Sequence, residues 1–406
     1  MSKPKQKKKK WIRFRHKVVT FLAYLPVYIY SRIKYGLKVE RFKDKTKRPY
    51  LILMNHQTAF DQFFVSFAFN RAIYFVASED LFSMGWLSSL IRYIVAPIPI
   101  RKQTTDVSAV MTCLRVAREG GTIAMAPEGN RTYSGKTEYM NPAVAPLARK
   151  LGLPIALFRI EGGYGVHPRW SDVKRKGKMR CFVSEVIEAE EYKTLTDDEL
   201  YTRITKGLYV NEAAVRGEFC HKNAAEYLER ALYTCPDCGL STLESGGDLI
   251  TCKKCGLRVR YLPTKELEGV DKSIPFKFTN DWYEYQCELV NNLDTRLYTE
   301  TPLFSDTADL SEVIVYEKKV PIAQNVGLTL YGDRIELSGC EQVKTFPFDK
   351  VSAVTVLGKN KVNIYIDKKI YQLKGDKRFN GLKYVNIFYR NKNIAKGEEN
   401  VKFLGL

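Results

Sequence analysis

Two short apolar runs, each ending in a polar block, most constrain how this chain can fold. The first covers residues 50–54 and leads into Asn55-His56 and then, five residues after the histidine, Asp61. The second covers residues 122–126 and leads into the block PEGNRT. Runs of this kind predict buried β-strands. Because α/β sites lie at the carboxyl edge of a sheet, we expect the two polar blocks to converge there.

His56 and Asp61 together have the chemistry of a general base. Histidine is the side chain whose ordinary pKa lies near neutrality, and a carboxylate beside it can fix its tautomer and stabilise its cation. The same spacing also occurs in purely structural pairs. The functional interpretation is favoured by the second block, which adds Glu128, Gly129 and Arg131.

β-like and helix-like stretches alternate between residues 50 and 190, which predicts a mixed α/β layer fold, that is, a mixed sheet with flanking helices. Predicted strands cover residues 50–54, 73–77, 94–100, 122–126, 154–160 and 179–186, and predicted helices cover 61–70, 80–92, 106–119 and 142–151.

The net charge of +20 over 406 residues indicates an anionic partner, which can be nucleic acid, an acidic membrane surface or a phosphorylated substrate. Residues 1–39 contain no Asp or Glu, and their apolar run, residues 18–30, is interrupted by Pro26. At about 1.5 Å per residue this run is roughly 20 Å long, short of a hydrocarbon core of about 30 Å. It predicts an interfacial or re-entrant membrane segment, with a buried helix behind a solvated basic tail as the alternative.

Four of the nine cysteines form two Cys-x-x-Cys pairs, Cys235/Cys238 and Cys252/Cys255. The pairs are 13 residues apart, and glycine follows each second cysteine, which is the pattern of a zinc ribbon. Four thiolates would close the coordination sphere of a structural Zn²⁺. A redox pair is the alternative, but it leaves the second pair unexplained. The absence of a disulfide framework favours a reducing compartment.

From about residue 310, short β-like runs are followed by a helix-like segment, residues 379–393, in an order that resembles a small pleckstrin-homology-like barrel. Such a unit can bind lipid, a partner, or the rest of the chain. The predicted organisation is a membrane-associating segment 1–40, an α/β domain 41–230, a zinc ribbon 231–262, a linker with a short helix 263–309 and a β-rich domain 310–406.

Together, the blocks over residues 45–190 resemble the glycerophospholipid acyltransferases of the 1-acyl-sn-glycerol-3-phosphate type. The family's His-x4-Asp is matched by His56 and Asp61, and its Phe-Pro-Glu-Gly-Thr-Arg-Ser block by residues 126–132. A third block ends in Arg101, and a fourth is an apolar strand that opens with Pro154. This chain departs from the family pattern with Ala126 and Asn130.

The resemblance implies transfer of a fatty acyl group from a thioester, acyl-coenzyme A or acyl carrier protein, to the hydroxyl of a lysophospholipid. Lysophosphatidic acid, giving phosphatidic acid, is the acceptor expected first, and another lysophospholipid is the alternative. The implied site residues are His56 as base, Asp61 as its orienting group, Arg101 and Arg131 on the acceptor phosphate, Glu128 placing Arg131 or the glycerol, and Gly129 allowing close backbone approach.

Members of the resembled family are membrane-bound, so we expect residues 1–39 to contact an anionic membrane on its cytoplasmic face. The apolar segment 81–100 is expected to line an acyl groove, touch the bilayer, or pack in the core. A non-catalytic membrane or nucleic-acid binding protein is the competing class. Nucleic acid is disfavoured, because the basic run adjoins an apolar segment and the four blocks would have no role.

Overall fold

A computed structural model describes residues 10–44, 46, 48–100, 106–314 and 319–398. This part of the chain contains a mixed N-terminal sheet, a small sheet beside the paired cysteines, and an antiparallel C-terminal sheet. The predicted fold class is confirmed.

The N-terminal sheet has seven strands, and six of them correspond to the predicted runs. They are β1 (Leu37–Val39), β2 (Leu51–Met54), β3 (Ile73–Ser78), β4 (Ile98–Ile100), β5 (Thr122–Met125), β6 (Ile155–Glu161) and β7 (Met179–Ile187). Their spatial order is β1-β7-β6-β2-β5-β3-β4, and every neighbouring pair is parallel except β6 with β7. Strand β1 was not predicted, and β4 is shorter than predicted because the preceding helix continues to Val95.

Strand β2 lies at the centre of this sheet and is buried on both faces. Leu51 and Leu53 pack into one hydrophobic core, whereas Ile52 and Met54 pack into another on the opposite face. Successive side chains of a strand point to opposite faces, so a strand covered on both sides needs a continuous apolar run. This is why the sequence 51–54 lacks the polar alternation of a surface strand.

Eight helices accompany the sheet in the described part of the chain. They are α1 (Phe14–Tyr35), α2 (Asp61–Phe69), α3 (Trp86–Val95), α4 (Val107–Arg118), α5 (Val144–Leu151), α6 (Gly163–Val166), α7 (Ala189–Lys193) and α8 (Asp197–Leu208). Helix α8 begins with a capping box in which the Thr196 hydroxyl accepts from the Glu199 N–H at 3.2 Å and the Glu199 carboxylate accepts from the Thr196 N–H at 2.7 Å.

Helix α1 contains the predicted apolar run, including Pro26, and packs beside α3. Arg15 donates from Nε to the Tyr93 carbonyl at 2.7 Å and stacks on the Tyr93 ring. Among the described residues, no helix combines the length and the apolar character needed to cross a membrane. Residues 1–9 of the predicted basic segment lie outside the described residues.

The cysteine region forms a hairpin and a four-stranded antiparallel sheet, which continues beyond the predicted end at residue 262. Its strands are β8 (Thr234–Cys235), β9 (Gly239–Leu240), β10 (Leu243–Gly246), β11 (Leu249–Cys252), β12 (Arg258–Tyr261) and β13 (Leu267–Gly269). The aromatic helix α9 (Thr279–Asn291) packs on it, with the Trp282 indole N–H donating to the Thr234 carbonyl at 3.0 Å.

The C-terminal sheet has seven antiparallel strands and begins at Phe304, before the predicted residue 310. Its strands are β14 (Phe304–Val313), β15 (Lys319–Leu330), β16 (Arg334–Ser338), β17 (Thr345–Pro347), β18 (Val351–Leu357), β19 (Lys361–Ile366) and β20 (Lys369–Gly375). They lie in the order β17-β16-β15-β14-β20-β19-β18, and the predicted final helix is α10 (Leu382–Ala395).

The C-terminal sheet packs against the N-terminal unit, and this contact bears on the site. One hydrophobic core contains Trp170, residues of the cysteine region and residues of the C-terminal sheet. At its edge, Lys359 in the β18–β19 turn donates from Nζ to the Ser171 carbonyl at 2.7 Å. The fold therefore places this turn beside the loop that follows α6.

Candidate active site

The two polar blocks lie side by side at the carboxyl edge of the paired strands β2 and β5. The Glu128 carboxylate accepts from the His56 N–H at 2.8 Å, and the Thr132 N–H donates to the His56 carbonyl at 3.1 Å. The Glu128 side chain and the Thr132 backbone thus keep the two chain segments in contact beyond the ends of the paired strands. The main chain of His56 is held on both sides.

The imidazole of His56 is paired with Asp61, the first residue of α2. The distance from His56 Nδ1 to Asp61 Oδ2 is 2.8 Å, and the Asp61 side chain is 0% exposed. Asp61 also accepts from the N–H groups of Gln57 and Thr58 at 2.7 and 3.0 Å. An ionised carboxylate only accepts hydrogen bonds, so Nδ1 carries the hydrogen and Nε2 is left as the acceptor. This is the tautomer that a general base requires.

A cavity of about 290 Å³ opens beside His56. The groups that line it come from the two blocks, from the end of β3 and the segment that leads to α3, from the loop after α6 and from the C-terminal sheet. They include His56, Gly129, Arg131, Arg169, Leu357 and Gly358. The volume lies at the lower end of the range typical of small-molecule sites.

Arg131 lines this cavity and has one side-chain nitrogen without a hydrogen-bond partner among the described residues. That nitrogen, Nη1, is buried. Burial, with the neighbouring charge of Arg169, lowers the pKa of Arg131 to about 10. Buried polar groups are normally hydrogen-bonded, and a guanidinium matches the oxygens of a phosphate or carboxylate. The site therefore has the character of an anion subsite.

Arg169 is a second buried arginine at the cavity, and the sequence analysis did not identify it. It is 3% exposed, and it donates to the carbonyls of Arg131, Gly358 and Val356 at 3.0, 3.3 and 3.2 Å. Burial lowers its pKa. The carbonyls of Gly358 and Val356 lie far away in sequence, and no local pattern around an isolated arginine reveals such contacts.

Glu128 supports the histidine loop from behind the cavity. Its second oxygen accepts from the Glu138 N–H at 3.0 Å, so both carboxylate oxygens are engaged by backbone groups. Burial raises the pKa of Glu128 to about 8. This geometry supports a role in positioning His56. The expectation that Glu128 places Arg131 or the substrate glycerol stays a prediction.

Gly129 lines the cavity with a backbone that favours glycine. Its φ is +68°, and a Cβ at this position would meet no atom within 4 Å. The space beside it is open, which is the arrangement that lets a ligand approach the main chain. Arg101, the other predicted phosphate ligand, lies outside the described residues.

A buried polar chain connects the histidine loop to the cysteine region, and it too was missed from sequence. Gln57 donates from Nε2 to Glu212 at 2.9 Å and accepts from the Tyr164 N–H at 3.1 Å. Glu212 lies 3.5 Å from the Nζ of Lys265, which follows β12. Burial raises the pKa of Glu212 and lowers that of Lys265. Apart from this ion pair, Glu212 Oε2 has no hydrogen-bond partner among the described residues, so the network is not fully satisfied.

The four paired cysteines, Cys235, Cys238, Cys252 and Cys255, have their sulfur atoms within 4.8 Å of one another. The Sγ atoms of Cys235 and Cys255 are 3.7 Å apart. Tetrahedral zinc with Zn–S bonds of about 2.3 Å requires sulfur separations of roughly 3.8 Å. The donor set and its spacing fit a closed structural zinc site, and the thiolates leave no open position for catalysis.

Comparison with known families separates the chain into recognisable parts. The profile of a family described as Acyltransferase matches residues 36–160, which include the histidine loop and the cavity residues from the second block. Residues 36–160 form an acyltransferase-family domain. A second profile, described as DNA directed RNA polymerase, 7 kDa subunit, matches residues 229–264. This span contains all four clustered cysteines. The match therefore identifies a zinc ribbon in this short part of the chain.

Curated relatives agree with the acyltransferase domain at low identity. A chloroplastic 1-acyl-sn-glycerol-3-phosphate acyltransferase from Brassica napus is 21% identical over 192 residues, covering 46% of this chain and 55% of the relative. A 1-acyl-sn-glycerol-3-phosphate acyltransferase from Bacillus subtilis is 21% identical over 136 residues, covering 34% of this chain and 65% of the relative. The chain thus spans just over half to two thirds of the length of these relatives.

One solved structure similar to this chain is the 1-acyl-sn-glycerophosphate acyltransferase PlsC from Thermotoga maritima. It shares 19% identity, with a TM-score of 0.38 over 48% of this chain and 75% of the other.

The cysteine cluster predicts zinc-dependent stability. We expect the wild-type protein to contain about one zinc ion per chain and Cys252→Ser to lose it, because a tetrahedral site with three thiolates binds zinc more weakly. The melting temperature should fall with the metal. Metal analysis and thermal unfolding test this, with Cys220→Ser as control, since Cys220 is exposed and outside the cluster. Equal zinc content in both variants would contradict the assignment.

The buried Glu128 carboxyl predicts a pH dependence of stability. Its ordinary pKa of 4.5 is raised to about 8 in the folded protein, so between these values the folded state binds a proton that the unfolded state has released. Its contribution to the free energy of unfolding therefore decreases as the pH rises through this window. The measurement is the free energy of unfolding by urea as a function of pH. The difference between the wild type and Glu128→Gln should decrease as the pH rises, whereas the difference between the wild type and Glu190→Gln, a substitution at an exposed site, should not. A difference between the wild type and Glu128→Gln that does not change with pH would refute this prediction.

Proposed function

We propose that this protein transfers a fatty acyl group from a thioester to the free hydroxyl of a lysophospholipid, with 1-acyl-sn-glycerol 3-phosphate as acceptor and phosphatidic acid as product. The observation that carries the proposal is the His56–Asp61 pair at a cavity where the guanidinium of Arg131 is buried and partly unpaired. A base and an anion subsite in one small cavity fit an acceptor that has both a hydroxyl and a phosphate. The names of the relatives support the same acceptor.

The reaction needs one base and no covalent enzyme intermediate. His56 Nε2 takes the proton of the acceptor hydroxyl as that oxygen attacks the thioester carbonyl carbon. The tetrahedral intermediate collapses, the C–S bond breaks, and the leaving thiolate receives the proton from His56. Asp61 stabilises the imidazolium that exists between the two proton transfers. The products are an ester and a thiol, and the histidine returns to its starting state.

The acceptor phosphate is bound by Arg131, with Arg169 adding a second positive charge beside it. Arg169 is buried and the Nη1 atom of Arg131 is buried, and electrostatic attraction is stronger in such surroundings than in water. An incoming phosphate would supply the missing hydrogen-bond acceptor for Arg131 Nη1. Arg101 remains a proposed third ligand. The acyl donor is coenzyme A or acyl carrier protein, both of which are anionic and suit a chain of net charge +20.

An exposed apolar face on α1 and α3 supports docking on a membrane. In α1, Phe21 and Leu25 are 79% and 62% exposed, and in α3, Trp86 and Tyr93 are 77% and 61% exposed. Of the α3 side chains only Ser88 is buried, so the helix itself does not fit the core-packing interpretation, whereas Phe82 and Ile98 at the two ends of segment 81–100 are buried. Aromatic and aliphatic side chains beside basic residues are typical of interfacial helices. We define these exposed side chains of α1 and α3 as the apolar face.

The cavity leads toward this apolar face. Leu81 and Met84 line the cavity and immediately precede α3. An acceptor with its head beside His56 can therefore leave its acyl chain on the membrane side. We place the protein on the cytoplasmic face of a membrane, in keeping with nine cysteines that form no disulfide. The zinc ribbon is structural in this proposal, and nucleic acid is not a partner.

Replacing the base tests the reaction. We expect His56→Ala to lower the rate of phosphatidic acid formation roughly 100- to 10,000-fold, the usual contribution of a general base. The assay uses purified protein, anionic vesicles, lysophosphatidic acid and a labelled acyl thioester, with His221→Ala as control. The folded state is verified by zinc content and melting temperature. Full activity of a folded His56→Ala protein, or an inactive folded wild type, would refute the proposal.

Removing two side chains of the apolar face tests membrane docking. We expect Phe21→Ser combined with Trp86→Ser to weaken binding to anionic vesicles at least tenfold, because each aromatic ring contributes about 1.5–3 kcal/mol when it leaves water. The matched control combines Leu297→Ser with Tyr139→Ser, which are 74% and 49% exposed elsewhere on the surface. Vesicle co-sedimentation measures both. Equal binding of the two double variants would contradict the assignment.

A further inference from the structure

The turn between β18 and β19 reaches from the C-terminal sheet into the reaction cavity. Leu357 and Gly358 line the same cavity as His56 and Arg131. This turn lies about 200 residues beyond the end of the acyltransferase-family match at residue 160. The cavity therefore has a wall that the acyltransferase domain itself does not supply.

Hydrogen bonds hold this wall against the loop after α6 and against the main chain of Arg131. Arg169 donates to the carbonyls of Gly358 and Val356 on one side and to the Arg131 carbonyl on the other. The Nζ of Lys359 donates to the Ser171 carbonyl and to Asp172, both at 2.7 Å. The turn and the main chain of Arg131 are thus held through one shared guanidinium. A displacement of the turn would disturb the anion subsite.

We propose that the β18–β19 turn sets the acceptor headgroup, admitting a terminal phosphate monoester and excluding lysophospholipids whose phosphate carries a further substituent. This proposal rests on the proposed acyltransferase function and deepens it. It gives the C-terminal sheet a defined part in substrate choice. Leu357 and Gly358 act here as specificity-determining residues, and they take no part in the chemistry.

The size of the cavity supports a small headgroup. Its volume is about 290 Å³. Small-molecule sites typically span about 300–1,000 Å³, so this cavity is at the small end of the range and favours a compact headgroup such as glycerol phosphate. A second alcohol on the phosphate has to displace the wall or project past it. Displacing the wall breaks the contacts made by Arg169.

The positive charge of the cavity also favours a phosphate monoester as headgroup. Arg169 is buried and Arg131 is partly buried, and they lie close enough for the charge of Arg169 to lower the pKa of Arg131. A phosphate monoester carries more negative charge than a diester and is bound more strongly by two cations. The ammonium groups of choline and ethanolamine headgroups would be placed near these arginines, where like charges repel.

Gly358 permits a substitution that narrows the cavity without a clash. Its φ is +60°, and a Cβ there would meet no atom within 4 Å. Asparagine is among the residues that best tolerate this backbone region. Gly358→Asn therefore adds a side chain in open space at the wall. Gly339 provides the matched control, because it has φ +77° and equally open surroundings but does not line the cavity.

Leu357 permits the opposite change. Leu357→Ala removes side-chain volume from the wall, and Leu337→Ala is its control. The two leucines belong to the same sheet and are 8% and 7% exposed, so their truncation should lower the melting temperature by similar amounts. Only Leu357 lines the cavity. A change of substrate preference that appears only in Leu357→Ala cannot be attributed to lost stability.

The experiment measures kcat/KM of the full-length variants in mixed vesicles with lysophosphatidic acid and with lysophosphatidylglycerol, a phosphodiester without an ammonium group. We expect the wild type to prefer lysophosphatidic acid at least tenfold. Leu357→Ala should reduce that preference several-fold, and Gly358→Asn should raise KM for lysophosphatidic acid about tenfold with a smaller change in kcat. Gly339→Asn and Leu337→Ala should retain the wild-type values.

The outcomes separate this proposal from the one on which it rests. If the wild type is active and both Leu357→Ala and Gly358→Asn keep its substrate preference and its KM, the proposed role of the β18–β19 turn is refuted. The acyltransferase assignment is then unaffected. A folded wild type that acylates neither acceptor overturns both. If Leu357→Ala does not fold, Gly358→Asn decides the matter, since its side chain meets no existing atom.

Discussion

The parallel pairing of β2 with β5 is the constraint on which the candidate site depends. Leu53 lies opposite Met125, so the two strands end level with each other at one edge of the sheet. Beyond that point the Glu128 carboxylate accepts from the His56 N–H and extends the contact. The main chain of the histidine is thereby fixed, while its side chain remains available to Asp61. A shift in this register would separate the base from the anion subsite.

The charges around His56 are arranged on two sides. Asp61 and Glu128 are buried behind the histidine loop, and backbone N–H groups donate to each of them. Arg131, which is partly buried, and Arg169, which is buried, lie on the side of the cavity. Burying a charge is costly unless hydrogen bonds or an opposite charge compensate. Asp61 obtains that compensation from hydrogen bonds within the protein, and Glu128 avoids the cost because burial keeps it protonated up to its raised pKa of about 8. Arg131, in contrast, leaves one nitrogen without a hydrogen-bond partner in the part of the chain that the structure describes.

The sequence predicts what is local. Apolar runs identified six strands of the N-terminal sheet, and cysteine spacing identified the zinc ribbon, because both signals depend on neighbouring residues. Hydrogen bonds such as those from Arg169 to Gly358, 189 residues away, leave no such trace. The exposure of α3 was also undetermined, since the same apolar pattern fits a core helix and a surface helix. Of the two arginines that line the cavity, the sequence analysis named Arg131 and missed Arg169, and it also named Arg101, which lies outside the described residues.

Residues of the zinc ribbon and its border connect to both sides of the cavity. On one side, Lys265 contacts Glu212, which accepts from Gln57 next to the base. On the other, Arg230 pairs with Asp172 at 2.8 Å, and the same carboxylate accepts from the turn through Lys359. These contacts connect the cysteine region to both the histidine loop and the β18–β19 turn, so in the proposed function a structural zinc site would help to keep the two at a fixed separation. The cysteine region, the C-terminal sheet and the loop that carries His56 are thus joined by one set of contacts.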